Sequence, residues 1–352
     1  MNGRPAIPMP PRPATPSPRS SAAPGGTAAP ARRSRSRSSN ARVLLRLALV
    51  AAGMVGGLSL LGLIWPKPDP GLENQGDRSV SDLAKPPNRP ITVLVIGVDA
   101  DQLGQATNKA APPGPANADA LLLLRVNPGG PLQVLALPPS LAVKLPGRPG
   151  LQSLGSLYRT GGAALTADAA RELVGLPRQE PHRYLVLSRG ALRSLVDELG
   201  SLEVNPNATM KYRDKRQGLT IDIQSGLQRL KGTQVEHLLR YRSPDSPLQS
   251  RLSSQEAVIR SLLNELSQSS RVEMLPPLVQ KLRGQVQSNL TPTEVLSLMA
   301  AVLKPDQAVA FAVVPLEPPR DAPAGADLRE LAKSAPRPLW PEPSGPAAPA
   351  GS

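Results

Sequence analysis

Apolar residues are spaced in three ways along this chain, and each spacing predicts a different element. Residues 47–65 run for 19 positions without a charge. A helix of that length spans roughly 28 Å, close to the ~30 Å hydrocarbon thickness of a bilayer. Gly53, Gly56, Gly57 and Gly62 would weaken it in water but are common in membrane helices. Shorter apolar runs follow. Ile91–Val98, broken only by Thr92 and Gly97, reads as a strand buried on both faces. Residues 120–126 and 132–137 read as two more strands, joined by the turn residues Asn127, Pro128, Gly129 and Gly130. Further on, Gly161 and Gly162 lead into an alanine-rich amphipathic helix over 163–176. Helices are also predicted over 190–199, 234–239, 255–266, 276–282 and 292–303. Strands are predicted over 184–187, 202–204 and 308–314, and 210–212 with 219–223 read as a strand pair at the sheet's edge. Strands alternating with helices predict a mainly three-layer α/β domain.

Five segments result. Residues 1–42 form a disordered basic arm, 43–65 the membrane helix, 66–90 a Pro-rich linker, 91–317 the folded domain and 318–352 a disordered Pro/Ala-rich tail. The 43 prolines and 29 glycines crowd into the arm, linker and tail. Such segments bury too little apolar surface to offset chain entropy. Residues 91–317 are long enough for a sizeable core. Aromatic residues make up 2% of the chain, so that core is aliphatic.

Charge fixes the orientation. Residues 1–68 hold ten Arg or Lys and no acidic residue, which places ten of the fourteen net positive charges in the arm and its flanks. Arg42 and Arg46 precede the apolar run and Trp65 ends it. The positive-inside rule then sets the N-terminus in the cytosol and the domain outside, as a single-pass protein of the cell (inner) membrane. No small-x-small cleavage site precedes residues 66–70, so an uncleaved anchor is expected. The concentration of charge in one arm, with few rings to stack on bases, argues against a nucleic-acid partner. The absence of cysteine excludes disulfides, thiolate metal sites and cysteine catalysis. His182 and His237 lack partners at ligand spacing, and structural or exposed roles are expected for both.

Candidate chemistry lies at strand ends. Asp99 follows the first buried strand and Asp119 opens the second. Two such carboxylates can converge on the crevice where α/β sheets place ligands, and could hold a magnesium ion that keeps waters and phosphate oxygens. Strand-end aspartates also serve simply as turn residues.

A set of strings in fixed order resembles the LytR-CpsA-Psr family, also described as the cell envelope-related transcriptional attenuator domain, with this chain a divergent member. Residues 94–99 and Asn117-Ala118-Asp119-Ala120 resemble "LLLGVD … RTDT". Residues 137–140 and 145–147 are similar to "IPRD … IPG", and residues 154–162 to "INxAYxxGG". Residues 196–204 resemble "VDALGGVEV", and residues 230–234 with 239–242 resemble "LNGxQALxYaRyR".

The resemblance implies an α/β fold: a three-layer α-β-α domain with a mixed central sheet, preceded by one transmembrane helix. It implies a membrane-anchored transferase that moves a glycopolymer from a polyprenyl (di)phosphate carrier to a cell-wall or envelope polymer. An apolar pocket would hold the prenyl chain. Asp99 and Asp119 match the family's metal-binding acids, for which the cofactor is Mg2+. Arg240 and Arg242 match an Arg-x-Arg pair expected to grip phosphate and act in catalysis, on one side of an extended segment. Arg251 and Gln255 keep their places in "GRxxRQ", and Asn117 stands at the ligand-binding arginine of "RTDT". Other positions depart: Pro139 and Ser140 replace an arginine and an aspartate, Ser153 and Gly155 a lysine and an asparagine. Lys144, Arg148 and Arg159 lie near in sequence as substitutes. These losses leave open a catalytically degenerate polyprenyl-phosphate-binding or scaffold protein of envelope assembly.

Overall fold

A computed structural model describes residues 80–107, 114–304, 307–318, 327–335, 337 and 339–342. All belong to the second of the two units into which the chain divides, Gln75–Ser352. The basic arm and the apolar run over 43–65 lie outside the described residues. Among the described residues no helix is long and apolar enough to cross a membrane.

The core is a six-stranded mixed sheet. Its members are β1 (Ile91–Val98), β2 (Ala118–Val126), β3 (Leu132–Ala136), β6 (Arg183–Leu187), β11 (Val286–Ser288) and β12 (Val309–Val313), in the order β11-β6-β1-β2-β3-β12. β1 runs antiparallel to β2 and parallel to β6, and β3 runs parallel to β12. Apart from this sheet, β4 (Ala142–Lys144) pairs with β5 (Leu151–Ser153), and β7 (Leu202–Val204) with β10 (Gln228–Leu230). The period of two divides each strand between two layers. Leu94, Ile96, Leu121, Leu123 and Leu135 face one cluster, which includes Leu154, Leu157 and Ala170 of α1 (Leu154–Val174). Leu122, Val126, Leu132 and Val134 face the other, with Leu252 of α4 (Pro247–Leu266) and Ala301 of α6 (Pro292–Val302). Each wholly buried Leu or Ile contributes about 1.5–3 kcal/mol relative to exposure, so these two faces make the three-layer α-β-α arrangement.

Local signals set the helix ends. Ser153 caps α1 by accepting from the Ser156 N–H at 3.3 Å, and Gly175 ends it in the left-handed region at φ 73°. Ser188 caps α2 (Arg189–Glu198) by accepting from the Ala191 N–H at 3.1 Å. Thr291 and Glu294 form a capping box on α6, with Pro292 at its first position. His182 is structural: its Nδ1 accepts from the Thr92 N–H at 3.0 Å.

Several elements differ from expectation. Gly161 and Gly162 are non-helical and lead into a helical stretch ending at Val174, as expected, but another helical stretch precedes them, so that they form a kink. α1 begins at Leu154, and Gly162 sits at φ 64° inside it. β8 (Met210–Asp214) and β9 (Leu219–Ile223) form a separate hairpin and not the sheet's edge. Burial alternates along β9, and the buried residues of the pair (Met210, Leu219, Ile221, Ile223) cover a third cluster. That cluster joins α2, α3 (Gly232–Arg240) and α5 (Leu275–Leu282). A hairpin apolar on one face suits that cover, whereas an inner strand of the sheet is buried on both. The folded unit also exceeds residues 91–317. Val80 is buried in the third cluster, and β14 (Glu330–Leu331) pairs with β13 (Leu316–Glu317). Trp340 packs on the α1 side with Arg125 over its ring, 5.3 Å from the centroid. Scattered apolar residues among prolines carried these contacts, without a periodic signal.

Candidate functional site

Between the sheet and the helices α4 and α6 the packing opens into a cavity of about 430 Å3. Its walls are aliphatic: Val93, Val95, Leu122 and Leu124 from the sheet, and Leu262, Leu263, Leu298 and Met299 from the helices. At one end the lining changes to Asp119, Arg189, Glu236, Arg240, Arg251 and Gln255. That end lies at the carboxyl ends of β1 and β6, because β2 runs antiparallel and starts there.

Arg251 and Gln255 stand one turn apart on α4 and so share a face. Arg251 Nη2 lies 3.3 Å from Asp119 Oδ1, with only 14% of the Arg251 side chain exposed against 54% of Asp119. Arg251 Nε is buried without a hydrogen-bond partner among the described residues. Burial holds the Arg251 guanidinium below its ordinary value, and the Asp119 charge opposes that shift. Arg242 donates to the carbonyls of Leu239 at 2.9 Å and Tyr241 at 3.0 Å. Its pKa falls to about 10, first through burial and then through Arg251, while Asp119 opposes the fall. Arg189, Arg240 and Arg251 of the lining, with Arg242 beside them, thus outnumber the carboxylates Asp119 and Glu236. Burying cations in excess costs free energy that a polyanion would recover.

The Arg-x-Arg segment is not extended throughout. Arg240 is the last residue of α3, and the chain becomes extended only at Tyr241, φ −62° and ψ 140°. The helix has a good reason to continue to Arg240, since Arg240 Nη1 reaches Glu236 Oε1 at 3.2 Å one turn back. Arg240 also donates to Gln217 Oε1. Arg240 therefore leaves the chain from a helix end and Arg242 from beyond the extended Tyr241, and not in a period of two.

Asp99 forms a second part of the site. Its Oδ1 accepts from the Asn117 N–H at 2.9 Å, beside a register shift that ends the β1–β2 pairing. The carboxyl is pushed up, chiefly by burial and further by the Asp119 charge; Asn117 and Arg159 pull it down. Asp119 thus stands close enough for its charge to be felt at Asp99. The pair offers oxygens suited to a hard cation that keeps waters and ligand oxygens. Among the described residues no group of three or more His, Cys, Asp or Glu is placed to hold a metal ion. Arg159 brings a cation to Asp99, whereas Lys144 and Arg148 are exposed.

Sequence reasoning missed a polar cluster beside this mouth. Glu236, with 6% of its side chain exposed, receives Arg240, Arg189 Nη1 at 3.3 Å and Arg193 Nη1. Asp101 receives Arg193 at 3.0 Å and Arg189 at 3.4 Å. The available signal was spacing: Arg189 with Arg193, and Glu236 with Arg240, are i,i+4 pairs on two consecutive helices.

Residues 72–331 match the LytR_cpsA_psr family. The chain belongs to that family. One relative, polyisoprenyl-teichoic acid–peptidoglycan teichoic acid transferase TagU of Enterococcus faecalis, is 27% identical over 121 residues, 34% of this chain and 37% of its own length. The match thus spans well under half of that relative. Among solved structures, B. subtilis TagV shares the fold with TM-score 0.57 and 15% identity, covering 70% of this chain and 92% of that one. TagT bound to LI-WTA shares it with TM-score 0.51 and 19% identity, covering 74% and 92%.

Within the family pattern, the departures at 139 and 155 are linked by packing. The Gly155 N–H donates to Pro139 O at 2.9 Å. A Cβ built on Gly155 would stand 2.5 Å from Ala118 O and 2.9 Å from Pro139 Cβ. Only glycine lets α1 approach β2 so closely. Ser140 O accepts from the Arg329 N–H at 2.9 Å, so its backbone anchors the C-terminal segment. This corner has become a packing junction.

Proposed function

We propose that the protein binds a polyprenyl phosphate- or diphosphate-linked glycan and transfers it to a cell-wall or envelope polymer. One observation carries the reading: an aliphatic cavity of about 430 Å3 that ends at arginines in excess over carboxylate. The cavity suits a prenyl chain and the mouth suits its phosphates. Family membership and the transferase name of the Enterococcus faecalis relative support the same chemistry. Arg240, Arg242 and Arg251 would orient the phosphate oxygens and offset charge as it develops on them, which is most of what phosphoryl transfer asks of a protein. Asp99 and Asp119 would hold Mg2+, which would supply further charge neutralisation at those oxygens.

A second reading keeps the binding and drops the transfer. Pro139 and Ser140 stand where the family carries charged residues, and the structure commits both to packing and backbone pairing. Purifying the full chain in detergent, extracting its bound lipid and assaying diphosphate cleavage with Mg2+ separates the two. Co-purified prenyl phosphate with cleavage supports the transferase, the same lipid without cleavage supports the binding protein, and no prenyl lipid defeats both.

We further propose a single-pass anchor at residues 43–65 in the cell membrane, with the domain extracytoplasmic. A reporter fused after residue 85 is then active only outside the cytosol.

A further inference from the structure

The β8–β9 hairpin carries charge that its packing does not use. Its buried residues close over the third cluster, and its other face and its tip meet solvent. Lys211 and Arg213 stand on that outer face, because side chains alternate along a strand. Lys215 and Arg216 stand in the turn. All four are exposed, and none makes an ion pair with a described residue.

Two acids lie among these cations. Asp222 is the register partner of Lys211 and offsets one of them. Asp214 is occupied in shaping the turn. It accepts from the Arg216 N–H at 2.8 Å, the Gln217 N–H at 3.2 Å and the Gln217 side-chain amide at 3.0 Å. Four cations against two carboxylates leave the hairpin positive. Tyr212, between Lys211 and Arg213 in sequence, faces the same way as its register partner Ile221 yet is 49% exposed.

The tip stands beside the mouth of the apolar cavity. Gln217, inside the turn, accepts from Arg240, which lines that mouth. The outward cations are thus placed within a few residues of the cavity entrance without belonging to its lining.

We infer that the β8–β9 hairpin docks on the headgroup layer of an anionic bilayer and so holds the mouth against the surface that supplies its lipid. The inference rests on the lipid-linked reading above and adds the partner of a surface outside the ligand site. A prenyl lipid resides in the bilayer, so it can enter the cavity only where the mouth approaches headgroups. Lysine and arginine there meet lipid phosphates, and a tyrosine ring with its polar tip suits the boundary between wet and apolar layers. A soluble anionic glycopolymer would attract the cations too, but it is hydrated throughout and offers Tyr212 no apolar layer. Each cation near an anionic bilayer strengthens the attraction by about fivefold, so the excess on the hairpin amounts to roughly 10-fold or more.

The test uses the full chain reconstituted in bilayers. The chain has no cysteine, so Thr220→Cys carries a single fluorophore. Thr220 is exposed and is the register partner of Arg213. The bilayers contain phosphatidylglycerol with phosphatidylcholine, or phosphatidylcholine alone, and each includes a lipid with a quencher on its headgroup. The expected result is strong quenching in the anionic bilayer, weak quenching in the zwitterionic one, and loss of the difference at high salt. Lys211→Gln/Arg213→Gln/Lys215→Gln/Arg216→Gln lowers quenching in the anionic bilayer to the zwitterionic level. It also slows uptake of a prenyl diphosphate from that bilayer by about 10-fold, while affinity for the same lipid in detergent and the melting temperature stay unchanged. Equal quenching in the two bilayers, or quenching kept by the variant, overturns the inference. So does a label that stays away from both bilayers but responds to soluble poly(glycerol phosphate), which assigns the face to a polymer. Failure of wild type to bind the prenyl diphosphate in detergent instead overturns the functional reading beneath it.

Discussion

Arg251 of α4 and Asp119 of β2 meet at 3.3 Å across the mouth of the apolar cavity, the arginine side chain 14% exposed and the aspartate 54%. This pair ties the helix layer to the sheet at the point where a phosphate would arrive. Its two members have opposite expected effects. Arg251→Ala removes a charged donor and should weaken prenyl diphosphate binding by about 10–100-fold. Asp119→Asn frees the same guanidinium, so without divalent cations binding should stay level or tighten. With Mg2+ present, wild type should gain affinity and Asp119→Asn should not. Calorimetric titration with and without chelator checks all three.

Filling the cavity separates lipid binding from stability. Leu298 lines the cavity from α6. Leu298→Trp should occupy the prenyl channel, lowering affinity for prenyl diphosphate at least ~10-fold. It should leave the melting temperature level or raised, because the added ring enters existing space and not a packed core. Paired binding and thermal-melt measurements distinguish this from general unfolding.

At Gly155 the expectation is the reverse. Restoring the asparagine of the family pattern puts a Cβ 2.5 Å from Ala118 O. Gly155→Asn should therefore destabilise the domain by about 1–3 kcal/mol, the usual cost of overpacking. Chemical denaturation of the variant reads this directly.

Asp99 predicts a pH dependence. Its carboxyl is raised above the ordinary 3.8, mainly by burial. A native state that holds this proton more tightly than the unfolded chain loses stability as pH rises from about 4 through the raised value, and is level above it. Asp99→Asn should remove that slope and be more stable than wild type at pH 7. Its Oδ1 can still accept from the Asn117 N–H. Urea midpoints measured between about pH 4 and pH 7 test the sign.

These particular residues also show how far the sequence could be read. Ile91–Val98 and residues 120–126 were legible because inner strands are apolar on both faces, and the observed strands fall there. The first turns of α1 were not, because Gly161 and Gly162 look like a boundary and the helix instead kinks through them. β11 and β14 have three and two residues, too few for any period to show. At the site, order along the chain led to Asp119, Arg240, Arg242, Arg251 and Gln255, which lie at or beside one mouth. Asp99 is not part of the cavity lining; it stands behind Asp119 with Asn117 and Arg159. The Glu236 cluster showed only as i,i+4 spacing within each helix, because its assembly depends on α2 and α3 turning their charged faces toward each other. Helical spacing shows which residues share a face but not which face another helix will meet.

The central claim is that the arginine-rich mouth reads phosphate on a lipid held in the apolar cavity. The most direct measurement compares the full chain's affinity for a prenyl diphosphate with its affinity for the prenyl alcohol of the same length. The comparison is repeated in Arg242→Ala/Arg251→Ala. The account predicts that wild type prefers the diphosphate by at least ~10-fold, in keeping with charge-assisted hydrogen bonds. It also predicts that the double variant binds both lipids equally at the level of the alcohol. Equal affinity for the two lipids in wild type, or an undiminished preference in the double variant, would contradict it.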